Sequence, residues 1–273
     1  REVAATRDFD VCVVDCAPTG STMRMLRFPD ALRIFMTHFF EFERKGAPGG
    51  QAFWRAALEV MGIELQTPQS QLDRIPKSGP VIVVANHPHG MVDSMIFADL
   101  IGRVRPDYRI LTRSLLTAID EVASSYMIAV PFPHDPDAQR KGVAMRAQAM
   151  DYLREGGVVA LFPSGVVATS DTYFGPAIEA EWNVFTAKLI RRSGATVVPI
   201  RFPGQNSRAY QIANKLSPML RQGLLLHEVV YSLNKPQAPV VGHPIPQSEI
   251  DKRAEDPRGF MGWLRAHTLA LKD

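Results

Sequence analysis

Cysteine is nearly absent from this chain: Cys12 and Cys16 are the only two in 273 residues. Two thiols four positions apart cannot build a disulfide framework. With no second pair nearby they do not make a four-ligand metal site either, so both are expected to be incidental thiols in a reducing compartment. Long apolar runs are missing too. Charge-free stretches such as 80–92 fall well short of the ~20 apolar residues that span a bilayer, so no transmembrane helix is expected. The first residues mix both charges and lack a basic segment leading into an apolar core, which argues for a non-secreted protein. Charge of one sign is not in excess: 31 Lys and Arg against 28 Asp and Glu leave +3, and residues 1–80 hold ten of each sign. So even a distribution excludes a basic arm for nucleic acid. No internal repeat and no low-complexity linker is present.

What the chain does have is the balance of a globular protein, 46% hydrophobic and 22% charged, enough to bury a sizeable core. Arginine supplies 23 of the 31 cations. Its planar fork suits carboxylate or phosphate, although most of these arginines are expected on the solvated surface.

The pattern along the chain predicts two parts, an N-terminal segment 1–78 and an α/β domain 79–273. In the first, residues 29–42 crowd Leu32, Ile34, Phe35, Met36, Phe39, Phe40 and Phe42 beside Arg24, Arg27 and Arg33. Such a helix suits the headgroup layer of a membrane, with Leu32, Phe35, Phe39 and Phe40 as contacts. It equally suits docking on the protein's own core. A second helix at 51–61, after the Gly-rich turn at 46–50, completes a helical hairpin.

From residue 79 the period changes. Apolar β-branched runs at 80–85, 108–112, 127–132, 158–162, 195–202, 224–233 and 239–242 read as strands. Helical patterns lie between and beyond them at 94–104, 114–125, 137–155, 180–192, 208–221 and 257–271, with Asp93 a possible N-cap of the first. The expectation is a mixed, mostly parallel sheet covered by helices on both faces. Its chemistry should sit in loops beyond the carboxyl ends of the strands.

Three of those loops stand out. The first, Asn-His-Pro-His-Gly-Met-Val-Asp at 86–93, sets two histidines ahead of a carboxylate. A carboxylate on one ring nitrogen fixes the tautomer and frees the other nitrogen to take a proton from an alcohol, which makes a general base. Asp93 capping the helix while His87 or His89 braces the turn is the structural reading of the same residues. His-x-His after a strand also presents two imidazoles to a metal. The other histidines, His38, His134, His227, His243 and His267, supply no obvious second half, His134 beside Asp135 apart. The second loop, 161–170, contains Phe162, Pro163, Ser164 and Gly165, a tight turn whose N–H groups can face an oxyanion. Ser164 lacks the Gly-x-Ser-x-Gly setting of a nucleophile. The third, 201–208, brackets Gln205 and Asn206 with Arg201 and Arg208, a cluster able to bind a headgroup or phosphate.

The order Asn-His-Pro-x-Gly-x-x-Asp, Phe-Pro-x-Gly, Val-Val-Pro-Ile across 79–245 resembles the PlsC-like glycerolipid and lysophospholipid acyltransferases. The longer spacing is similar to the hemolysin-like subgroup of lyso-aminolipid acyltransferases, and His-Pro-His-Gly to the diacylglycerol acyltransferases. That family places four residues between its His and Asp; here five separate His87 from Asp93 and three separate His89 from it. The resemblance implies a catalytic pair His87 and Asp93, with His89 in reserve. His89, Gly90, Arg113, Phe162, Pro163, Ser164, Gly165, Arg201 and Arg208 are implied at the substrate. It further implies no resident cofactor or metal, an acyl-CoA or acyl carrier protein donor, and a lyso-lipid acceptor. The implied location is the membrane surface, peripheral on the cytoplasmic face. Where the family has Glu and Arg for a glycerol phosphate, this chain has Ser164 and Val167. A lyso-aminolipid such as lyso-ornithine lipid is therefore expected as acceptor alongside lysophosphatidic acid. A metal-dependent hydrolase built on the His-x-His loop is the alternative.

Overall fold

A computed structural model of the chain describes residues 46, 48–113, 124–132, 135 and 137–272. Helix α1 (Ala52–Val60) and the short α2 (Gln69–Leu72) precede β1 (Val81–Ala85), α3 (Met91–Gly102), β2 (Tyr108–Arg113), β3 (Met127–Val130) and α4 (Ala138–Arg154). Then come β4 (Val158–Leu161), the two-residue strands β5 (Thr169–Ser170) and β6 (Ala177–Ile178), α5 (Val184–Ser193) and β7 (Thr196–Arg201). The chain ends through α6 (Arg208–Leu216), α7 (Pro218–Gly223), α8 (Leu225–Ser232), β8 (Val240–Val241), α9 (Gln247–Asp251) and α10 (Pro257–Leu269).

The main sheet has the order β3-β2-β4-β1-β7-β8. All neighbours are parallel except β8, which runs against β7. The expected mixed, mostly parallel sheet is therefore present. Because successive strand residues face opposite ways, Val81, Val83 and Ala85 enter one core with Phe97 and Leu100 of α3 and Trp54 and Leu58 of α1. Ile82 and Val84 enter the other, with Leu153 of α4, Ile190 of α5 and Leu264 of α10. The strand β1 is buried along its whole length, and each of its valine and isoleucine side chains removed from water stabilises the fold by roughly 1.5–3 kcal/mol.

Placing β1 between β4 and β7 aligns three consecutive carboxyl ends. Val84 pairs with Leu161 on one side, and Ala85 with Ile200 on the other. The three unusual loops leave from these three strands, so the topology gathers them at one edge.

Several elements differ from the sequence reading. The run 224–233 is not a strand but holds helix α8: Leu224, Glu228, Val229 and Ser232 are buried at helical spacing, while Leu225 and Tyr231 face water. The pattern 208–221 is two helices, because Ser217 precedes Pro218 and takes the extended conformation that a following proline imposes. Asp93 is not the N-cap of α3 but lies inside its first turn, the cap being Gly90. Residues 114–123 of one expected helix lie outside the described residues. So do 29–42, with Leu32, Phe35, Phe39 and Phe40, hence the first half of the expected hairpin. Its second half, α1, packs into the sheet's own core through Trp54 and Leu58, as do Leu72 and Ile75, so core contacts run across the expected 78/79 boundary. Among the described residues no helix is long and apolar enough to cross a membrane.

Candidate active site

The first loop is fixed at both ends. Asn86 is buried and its side-chain amide pairs with the backbone of Phe202, accepting from the Phe202 N–H at 2.7 Å and donating to its carbonyl at 2.8 Å. That pair ties the loop after β1 to the loop after β7. Gly90 then turns the chain into α3 at φ +76°, a left-handed conformation that favours glycine. A side chain there would also crowd Val167 of the second loop at 3.3 Å.

The turn brings both histidines onto one carboxylate. Asp93 Oδ2 lies 3.0 Å from His87 Nδ1 and accepts the backbone N–H groups of His89 at 2.7 Å and Gly90 at 3.1 Å. Its other oxygen, Oδ1, lies 3.0 Å from His89 Nδ1. Asp93 is fully buried. Burial alone would raise its pKa, but the charge of His89 and the hydrogen bonds from His87 and His89 outweigh it and hold the carboxyl at about 2. It is thus a fixed anion, and each Nδ1 facing it must be the protonated nitrogen. Both Nε2 atoms are left to other work.

The two rings differ in their surroundings. The side chain of His87 is 14% exposed and stacks on Phe162, ring centroids 3.9 Å apart. Its backbone N–H donates to Glu179 Oε2 at 3.0 Å, and its carbonyl accepts from Ala168 N–H at 2.8 Å. His89 is more deeply enclosed. A Cβ on Gly204, itself at φ +92°, would come within 2.9 Å of His89 Nε2, so the loop after β7 closes directly over that nitrogen. Burial lowers the His89 pKa, but the charge and hydrogen bond of Asp93, with a smaller pull from Glu228, raise it on balance. His89 favours the imidazolium form and covers one oxygen of Asp93. The other oxygen serves His87.

Of the remaining sequence-predicted residues, Phe162 forms the floor under His87, and the Pro163 carbonyl accepts from Asn183 N–H at 2.9 Å, joining the second loop to the start of α5. Ser164 Oγ donates to the Val166 carbonyl at 2.9 Å, and Gly165 turns at φ +66° with open space beside it. Arg201 donates to the Leu271 carbonyl at 3.0 Å, and Arg208 to the carbonyl of Gly175. Both guanidiniums therefore spend a donor on neighbouring backbone. Arg113 ends β2, next to β4, and is set opposite Val130. Among the described residues no group of three or more His, Cys, Asp or Glu side chains is arranged to hold a metal ion.

Two buried acids of this site were not singled out in the sequence. Glu179 bridges His87 N–H and the Trp182 indole N–H, the latter at 2.9 Å. Glu228 accepts from Ser207 N–H at 2.7 Å and Ser207 Oγ–H at 2.6 Å, and lies 3.0 Å from His227 Nδ1. Glu179 sits in an ordinary polar loop and carries no local signal. Glu228 interrupts an apolar run, and a charge inside such a run was the available clue.

Comparison with known proteins gives two family matches. Residues 68–203 match the acyltransferase family model, and residues 1–78 match the model described as anion-transporting ATPase. The second match contains the aromatic segment 29–42. Curated protein sequences give no match. Among solved structures, the 1-acyl-sn-glycerophosphate (LPA) acyltransferase PlsC from Thermotoga maritima is similar, at 12% identity and a TM-score of 0.48, over 92% of this chain and 94% of that one.

Proposed function

From the premise that residues 68–203 make this chain a member of the acyltransferase family, we propose that it moves a fatty acyl group from an acyl thioester to the hydroxyl of a lyso-lipid. The observation that carries the reading is the single buried carboxylate of Asp93 holding His87 Nδ1 at 3.0 Å. His87 Nε2 takes the proton of the acceptor hydroxyl as its oxygen attacks the thioester carbonyl. The carbon–sulfur bond then breaks, and the proton passes from His87 to the leaving thiolate, giving an ester and a free thiol. Asp93 stays ionised and stabilises the imidazolium that forms between the two steps. Backbone N–H groups of the second loop other than that of Gly165, which is spent on the Phe162 carbonyl at 2.9 Å, are the proposed partners of the transient oxyanion.

His87 is the base and His89 the support. His89 is the more enclosed ring and favours its charged form, whereas His87 is the one with access to solvent. For the acceptor, a lyso-aminolipid such as lyso-ornithine lipid stands ahead of lysophosphatidic acid. Ser164 and Val167 supply no charge where a phosphate would be gripped. The proposed donor is acyl-CoA or acyl carrier protein, and the proposed place of work is the cytoplasmic membrane surface, where lyso-lipids reside.

The experiment is a free-thiol assay on the purified chain with each donor and each acceptor, run beside His87→Ala and with EDTA. Thiol release that needs a lyso-lipid, disappears in the variant and ignores EDTA is expected. Release that EDTA abolishes would return the His-x-His loop to metal chemistry, and turnover of lysophosphatidic acid alone would remove the aminolipid preference.

A further inference from the structure

Away from the dyad, α4 and α5 lie side by side over the second core, and an open groove of about 1040 Å³ runs between them. Its rim carries Arg146, Arg154, Lys188 and Arg192. The acid in its lining, Asp151, is paired with Arg154 at 2.9 Å. Arg146, Lys188 and Arg192 have no carboxylate within ion-pair distance among the described residues. The floor between the cations is apolar, with Met150 and Phe185 half-buried and Val143 56% exposed. Cations around an apolar trench between two helices are the complement of an acidic amphipathic helix.

One end of the groove is wired to the active site. Asn183, which lines it, caps α5 by accepting the Phe185 N–H at 2.8 Å, and its own N–H holds the Pro163 carbonyl of the second loop. Four residues earlier, Glu179 holds the backbone of His87. A partner seated in the groove therefore lies alongside the segment that positions the base.

We propose that this groove docks an acidic helix of an acyl carrier protein, the thioester donor. The inference rests on the acyl-transfer reading above and selects between its two donors. A second copy of the chain would set the same cations against one another. A flat lipid surface would meet the rim but leave the apolar floor uncovered.

The test uses the full chain, with a fluorescently labelled acyl carrier protein for binding and thiol release for turnover. Replacing Arg146→Glu, Lys188→Glu and Arg192→Glu together is expected to raise the carrier's Kd and KM about tenfold or more. The same change should leave kcat, and KM for acyl-CoA, where they were. In the unaltered chain the carrier's Kd should rise steeply with salt, and in the variant it should not. A carrier Kd unmoved by the three substitutions overturns the proposal. So does a parallel rise in KM for acyl-CoA, or loss of anionic-vesicle binding with carrier affinity intact, which would assign the groove to lipid. Lys188→Glu alone, expected to move the same constants in the same direction, serves if the triple variant does not fold. Binding is read without turnover, so the two readings separate. Salt-sensitive carrier binding without any acyl transfer would sink the enzymatic reading alone, whereas transfer from acyl-CoA with no carrier binding would sink the groove alone.

Discussion

The loop after β1 and the groove between α4 and α5 are both polar, yet they are built in opposite ways. In the loop the carboxylate is saturated: two imidazole Nδ1 atoms and two backbone N–H groups converge on one fully buried Asp93. In the groove, Arg146, Lys188 and Arg192 project into solvent with no carboxylate paired to them among the described residues. Burial makes the first arrangement rigid and expensive to disturb, because an unpaired charge there has no water to fall back on. Exposure makes the second cheap to alter and open to a partner. Preorganised charge serves chemistry, and unsatisfied charge serves recognition.

The contrast breaks most sharply at the dyad. His87→Ala removes the base and should lower the rate of thiol release by about 10²–10⁴; it should also destabilise the fold by about 1–2 kcal/mol, since it takes one hydrogen bond from the buried Asp93 carboxylate and the ring stacked on Phe162. Asp93→Asn should cost a similar factor, because an amide no longer dictates the His87 tautomer. It should destabilise the fold more than His87→Ala does, by about 3 kcal/mol, the usual cost of removing a charge that accepts several buried hydrogen bonds. Urea unfolding of the two variants side by side checks the difference. Equal stability losses would mean that Asp93 is not the structural centre of the loop.

The pH dependence of that stability loss sharpens the point. The folded pKa of Asp93, about 2, lies below its ordinary 3.8. Its contribution, on the order of 2 kcal/mol, is present above about pH 4 and fades as pH falls towards 2. His89 is shifted the other way, upward from 6.5, so its contribution is complete below that value and is lost as pH rises through the raised pKa. Both terms depend on the same ion pair. The gap in stability between the unaltered chain and Asp93→Asn should therefore be widest between about pH 4 and 6.5 and narrow on either side. A gap that is flat from pH 3 to 9 would deny the ion pair.

Smaller again is the effect of the glycine over His89. Gly204→Ala places a methyl 2.9 Å from His89 Nε2 at φ +92°. It should displace that ring, lower kcat about tenfold and cost about 1–2 kcal/mol in backbone strain and crowding. Gly194→Ala is the control. Its φ is +62° with nothing within 4 Å, so thermal unfolding should show backbone strain of about 1 kcal/mol alone.

These residues also mark what the sequence could and could not reveal. The strands of the sheet were legible because their apolar runs were bounded by Gly, Pro and polar turns, and the Asn-His-Pro-His-Gly loop because its residue types have few structural uses together. That the two histidines divide one carboxylate was not legible, since it depends on Gly90 turning the chain so that Asp93 meets both rings. Helix α8 was misread because an apolar run of that length satisfies either period, and only the burial of Glu228 against Ser207 decides it. Glu179 was invisible, being brought to His87 by the β5–β6 hairpin, a pair of two-residue strands too short to leave a pattern.

The smallest effect belongs to the groove, and its smallness is what gives it meaning. Arg146→Ala removes a full charge from an exposed helix face, as Asp93→Asn does from a buried loop. Arg146 gives up no ion pair, and a surface substitution away from caps and core shifts stability by about 0.5 kcal/mol at most. Alanine is also the better helix former, so the sign can be slightly stabilising. Urea unfolding should thus place this variant on top of the unaltered chain, and its acyl-CoA turnover should be unchanged. A loss above about 1 kcal/mol would show that the cation holds α4 against α5 and has a structural duty. With stability and acyl-CoA turnover both unmoved, any change in carrier affinity on altering the rim is a change in recognition alone.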